Sequence, residues 1–158
     1  MTQSDFILRA NTPWKMRLFL LWKLPAAWFM GVRVQSCDLE KCVVKLPYGW
    51  RSQNPFRSTY FAAQCAAGEL STGLLALVHL QERPAISMLV THIEADFIKK
   101  VAETLTLTCT NGSAFQTTIQ KAVETGESQV FQAESIATLP DGQVAARIRI
   151  TWSFKIKQ

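Results

Sequence analysis

One acid stands alone in a long apolar run. From Asn54 to Glu69 the chain reads Asn-Pro-Phe-Arg-Ser-Thr-Tyr-Phe-Ala-Ala-Gln-Cys-Ala-Ala-Gly-Glu, and it continues through Leu70, Leu74, Leu75, Leu77 and Val78. A carboxylate on so apolar a surface has to be paired, protonated or in use. In a dry cleft it is a competent general base, which makes Glu69 the leading candidate for chemistry. The other reactive residue types are dispersed. His79 and His92 have no Cys, His or Asp neighbours at ligand spacing, so neither a metal site nor a cofactor is expected. His92 and Thr91 read as ordinary strand residues, since no acid or nucleophile motif accompanies them. Cys37, Cys42, Cys65 and Cys109 form no CxxC pair, and two of them lie in apolar runs typical of buried thiols; a reducing cytoplasm is the simpler setting.

Positioning Glu69 falls to a helix from about Ser58 to about Leu80 that follows the loop Tyr48–Pro55. Its apolar residues leave no continuous polar face, so other structure must wrap it. Gly68 and Gly73 weaken a helix and are tolerable where another segment approaches closely. Two short β-prone runs, Val32–Asp38 and Cys42–Pro47, precede it as a hairpin. After Pro84 come a β-branched run from Ile86 to Ile98 and a stretch from Thr104 to Thr110 that alternates with period two, placing Leu105, Leu107 and Cys109 on a core face. Ser113–Thr125 has helical spacing, with a Ser113/Gln116 capping box and Gly126 beyond its end. Gln129–Leu139 and Val144–Lys157 flank the turn Pro140-Asp-Gly142. In the last run Ala146, Ile148, Ile150, Trp152 and Phe154 fall on one face, and Arg147, Arg149, Lys155 and Lys157 on the other, where they bind an anion or protect a sheet edge. An antiparallel sheet wrapped around one long apolar helix, an α+β architecture, satisfies this pattern because each apolar surface needs the other.

The 158 residues, 48% hydrophobic and 18% charged, predict a single domain over 1–158, with an N-terminal helical segment at 1–31 and the core at 32–158. The low charge content suits apolar surface buried in an oligomer, at least a dimer. The net charge of +5 is compatible with anionic partners, but the Lys and Arg residues are scattered and the aromatics read as core, which argues against nucleic acid. Trp14–Met30 reads as a helix, a break at Pro25 and a turn ending at Gly31. Its longest apolar run, Leu18–Trp22, is too short to span a bilayer. The favoured reading is a helical lid packed on the domain. The alternative is an interfacial membrane contact through Lys15, Arg17, Lys23 and the tryptophans.

The order of elements, the segment Asn54-x5-Tyr60-x8-Glu69 and the closing Asp141-Gly-Gln-Val-Ala-Ala-Arg-Ile-Arg-Ile-Thr-Trp152 resemble the hotdog-fold thioesterases, on the PaaI-like side of that superfamily and nearest to a branch of domains of unknown function. The resemblance covers about Trp14 to Lys157. It implies hydrolysis of an acyl thioester, usually acyl-CoA, at a site shared between the subunits of a homodimer or dimer of dimers. It also implies an amide in the loop before the helix, matched by Asn54, backbone N–H groups at the helix start as carbonyl polarisers, and a helix carboxylate, matched by Glu69. Family members with demonstrated activity carry His-Gly-Gly at the helix entrance. Here those positions are Tyr60, Phe61 and Ala62, whose side chains restrict approach to the backbone. Ser58 and Tyr60 offer hydroxyl donors in place of the histidine, or else cap the helix or fill the core. Lys99 and Lys100 lie where related proteins place basic residues near the CoA phosphates; a solvated strand end is the plainer reading. A structural Glu69 would be satisfied by Ser71, Thr72 or a partner subunit. Two function classes stay open: a thioester hydrolase, and a non-catalytic acyl or lipid binder using the same tunnel under the N-terminal lid.

Overall fold

The computed structural model describes residues 1–157. In chain order the elements are α1 (Gln3–Ala10), α2 (Pro13–Lys23), α3 (Pro25–Phe29), β1 (Arg33–Cys37), β2 (Cys42–Leu46), α4 (Phe61–Leu80), β3 (Ile86–Phe97), β4 (Leu105–Cys109), α5 (Gly112–Thr125), β5 (Gln129–Thr138) and β6 (Val144–Ile156). The strands form one antiparallel sheet in the order β1-β2-β4-β5-β6-β3. Its inner face follows from the period-two pattern: Leu105, Leu107 and Cys109 on β4, Ala133 and Ala137 on β5, and Ile148, Ile150 and Phe154 on β6 are fully buried. Helix α4 lies across that face against β2, β4, β5 and β6, with α5 beside it. It buries Ala63, Ala67, Leu70, Leu74, Leu75 and Val78, as an all-round apolar helix must. Gly68 explains how the helix sits so close. A Cβ there would come within 2.9 Å of the Ile148 side chain. The α+β sheet-on-helix architecture read from the sequence is the one observed, with α2 and α3 broken at Pro25 as expected.

Several local readings are corrected. α4 begins at Phe61 rather than Ser58, because residues 58–60 are held extended: Thr59 N–H donates to the Val101 carbonyl at 2.7 Å and Tyr60 N–H to the Ser52 carbonyl at 2.7 Å. Ser58 therefore does not cap the helix, and the N-cap, Tyr60, makes no side-chain cap bond. The Ser113/Gln116 capping box does not form. The cap of α5 is Asn111, whose Oδ1 is drawn off to the backbone N–H of Glu134 at 2.9 Å. α1, unanticipated, is set by a capping box in which Thr2 and Asp5 exchange bonds. Finally, β6 lies between β5 and β3, so its arginines protect no edge. They are paired instead: Arg147 with Glu134 at 3.1 Å, and Arg149 with Glu94, Asp96 and Glu134. Cys37, Cys42 and Cys109 are buried free thiols, and burial pushes Cys109 up to about 12.

Candidate active site

Glu69 is half-buried in the third turn of α4, and burial raises its carboxyl above the ordinary glutamate value. Among the described residues its side chain accepts no hydrogen bond and meets no cation. The two hydroxyls expected to satisfy it are engaged elsewhere. Ser71 Oγ donates to the Gly68 carbonyl at 2.8 Å and shares a 2.7 Å bond with Ser135 Oγ. Thr72 Oγ1 bonds the carbonyls of Gly68 and Glu69 and accepts from Trp152 Nε1 at 3.1 Å. The carboxylate instead faces a groove of about 240 Å³ lined by Phe19 and Leu24 from the N-terminal segment, Leu70, Gly73, Leu74 and Leu77 from α4, Met88 from β3 and Trp152 from β6. Apart from Glu69 every lining side chain is apolar or absent.

Gly73, one turn after Glu69, is what lets the indole lie there: a Cβ would sit 3.3 Å from the Trp152 ring and 3.7 Å from Glu69 Oε1. Trp152 and Thr72 thus fix one wall of the groove by a buried side-chain bond, while Phe19 of α2 forms another. A second cavity of about 180 Å³ adjoins it through Phe19 and Leu74 and runs under α1 and α2 past Met1, Phe6, Ala10 and Met16. It is lined by Arg9 and Lys15 but by no acid.

The remaining candidates lie outside this lining. Asn54 organises its loop: its Oδ1 accepts from Phe56 N–H at 3.0 Å, Ser58 N–H at 3.1 Å and Ser58 Oγ at 3.1 Å. That arrangement holds Arg57 at φ 56° and presents the entrance to α4. Tyr60 and Phe61 stack edge to face at 4.9 Å, and Phe61 reaches Phe97 of β3 at 6.3 Å, forming an exposed aromatic cluster beside Ala62. The first N–H groups of α4 with helical acceptors are those of Ala63 and Gln64, both bonded to the Tyr60 carbonyl; among the described residues the Phe61 and Ala62 N–H groups have no acceptor. Lys99 and Lys100 are exposed beyond β3, with Lys99 Nζ donating to Gln143 Oε1. Nothing in the sequence signals that Phe19, Leu24, Met88 and Trp152 meet at Glu69, since they come from separate segments whose apolar residues all read as generic core.

The same fold occurs in solved structures. A protein from Shewanella oneidensis, provisionally assigned as a thioesterase, matches with a TM-score of 0.76 at 12% identity over 98% of this chain and 99% of its own. The thioesterase HI1161 from Haemophilus influenzae matches with a TM-score of 0.67 at 15% identity over 90% of each chain. A variant of the thioesterase PA1618 from Pseudomonas aeruginosa gives 0.63 at 14% over 89% and 92%. At these identities the likeness establishes the hotdog fold. No curated protein matches the chain. Residues 12–154, which carry α2, α3, the Glu69 helix and all but the last two residues of the sheet, fit the model of the domain of unknown function DUF4442, and the chain belongs to that family.

Proposed function

We propose that the protein hydrolyses an acyl thioester, with acyl-CoA as the substrate class, and that Glu69 is the general base. The observation that carries this reading is the unpartnered, half-buried carboxylate of Glu69 facing an otherwise apolar groove. An acyl chain would occupy the groove between Phe19, Leu74, Met88 and Trp152. Glu69 takes a proton from water, the water oxygen bonds to the thioester carbonyl carbon, and the C–S bond breaks. The products are a carboxylic acid and a thiol, which receives the proton.

The developing oxyanion needs donors, and the free N–H groups of Phe61 and Ala62 are the natural pair. They precede Glu69 by seven to eight residues, roughly 10 Å along one helix axis, so one α4 cannot present both to the same carbonyl. A site assembled from two copies resolves this. Support comes from β3: it is an edge strand whose Val90, Ile93 and Phe97 pair with the inner-face positions of β6 yet remain exposed, Phe97 being met by α4 through the Phe61 ring at its entrance. Met88, on the same face, already lines the groove. Docking a second copy there covers this apolar strip and brings the partner's helix entrance towards Glu69. In that arrangement Asn54 and Ser58 hold the entrance loop, the Tyr60 hydroxyl is an added donor, Thr72 holds Trp152, and Lys99 and Lys100 meet the CoA phosphates.

One feature favours the second reading, an acyl binder without turnover: Phe61 and Ala62 occupy the entrance, and the Tyr60–Phe61–Phe97 cluster crowds it. Thiol release from short, long and aromatic acyl-CoAs separates the two. A clear rate on at least one substrate supports hydrolysis. Binding of acyl-CoA with no thiol release on any substrate supports the binder and overturns the hydrolase.

A further inference from the structure

Helix α2 is apolar on both sides. Its inner side buries Met16 and Leu20 and lends Phe19 to the groove. Its outer side presents Trp14, Arg17, Leu18, Leu21 and Trp22, spaced by three and four residues so that they form one continuous stripe. The apolar members are strongly exposed: Trp14 63%, Leu18 49%, Leu21 40% and Trp22 81%. A helix that packs on a core normally turns polar residues to water on this side, and a contiguous apolar patch rimmed by charge marks a contact surface.

Two observations select what it contacts. The first is charge. From Phe6 to Cys37 the chain contains Arg9, Lys15, Arg17, Lys23 and Arg33 and not one Asp or Glu. Arg17 and Lys23 are exposed on α2, and Lys15 Nζ lies 5.6 Å over the Trp14 ring. The second is residue type. Tryptophans at both ends of a leucine stripe, with cations alongside, suit the headgroup layer of a bilayer, where indole rings settle and Lys and Arg reach phosphates. The core of a protein interface, by contrast, is depleted in lysine. The strip proposed above for a second copy is a different surface, on β3.

We propose that the outer face of α2 docks on an anionic phospholipid surface, with Trp14, Leu18, Leu21 and Trp22 entering the headgroup region and Lys15 and Arg17, on the two flanks of the stripe, meeting lipid phosphates. The 11-residue helix lies on the membrane and does not cross it. The proposal does not depend on Glu69 or on turnover.

Co-sedimentation of the full chain with vesicles tests it, comparing pure phosphatidylcholine with phosphatidylcholine containing about 30% phosphatidylglycerol. The expected result is binding to the anionic vesicles, a blue-shifted tryptophan emission on binding, and release by added salt. The double variant Leu18→Ser/Trp22→Ser binds about tenfold more weakly or worse. Its melting curve is unchanged, because both side chains are exposed. Arg17→Gln weakens binding by about fivefold. The proposal is overturned by no binding, by equal binding to neutral and anionic vesicles, or by undiminished binding of the serine variant. A fall in solution mass of the serine variant also overturns it, since a second copy would then be what covers the stripe.

Discussion

Glu69 carries the account at the scale of single residues. Its carboxyl is raised by burial, with no hydrogen bond or cation to offset the lost hydration. A general base works ionised, so kcat/KM is expected to fall as pH drops through this elevated value, at a higher pH than for an ordinary glutamate. The same shift has a consequence for stability. Because the folded state binds this proton more tightly than the unfolded chain, the stabilising contribution is complete below the ordinary value of 4.5 and is lost as pH rises through the folded-state value. Glu69→Gln, which cannot ionise, should therefore melt above the native protein at neutral pH, with the gap closing in acid. Differential scanning calorimetry at several pH values reads this directly, and a variant that melts lower at neutral pH would mean the carboxylate has a stabilising partner. Glu69 stood out in the sequence as a candidate because a lone acid among alanines and leucines is costly unless paired, protonated or used. Its surroundings did not, because Phe19, Met88 and Trp152 become neighbours only when α2, β3 and β6 converge.

The elements were legible where periodicity is strong and obscure where a tertiary bond overrides a local signal. β4 alternates throughout and β6 does so from Ala146 to Phe154, and α4 is long and apolar enough to cross a bilayer by composition, yet the strands that need an apolar partner lie in the same chain and cover it. The start of α4 was misplaced because Ser58 and Thr59, good cap residues by type, are recruited by Asn54 and Val101. The α5 cap was misplaced for the same kind of reason, with Asn111 committed to β5. Gly112 shows how tightly that junction is built. A Cβ on it would lie 2.0 Å from the Leu39 carbonyl oxygen and 2.5 Å from Glu40 Cα, both backbone atoms of the β1–β2 turn. Gly112→Ala should therefore destabilise the fold by about 3 kcal/mol or more, seen as a lower urea midpoint with an unchanged slope. A variant of native stability would show that the α5 start and this turn can part without cost.

For the whole molecule the decisive feature is the β3 edge, where Val90, Ile93 and Phe97 sit on the core side of the sheet and stay exposed, with the Phe61 ring against Phe97. The proposed two-copy site predicts that Ile93→Lys leaves the fold intact but yields a monomer by analytical ultracentrifugation, and that acyl-thioester turnover falls with it. A dimeric Ile93→Lys protein would place the contact elsewhere. Such a strip reads from sequence only as more apolar strand, because inner-face alternation looks the same whether a helix of the same chain or of another copy covers it. The composition, slightly poor in charge, was the only hint. The most direct test of the central claim is thiol release from a turned-over acyl-CoA by native protein and by Glu69→Gln, with acyl-CoA affinity measured for both. The expected result is near-native affinity with a turnover reduced by about a hundredfold or more. Native turnover in the variant would contradict it and remove Glu69 from the chemistry.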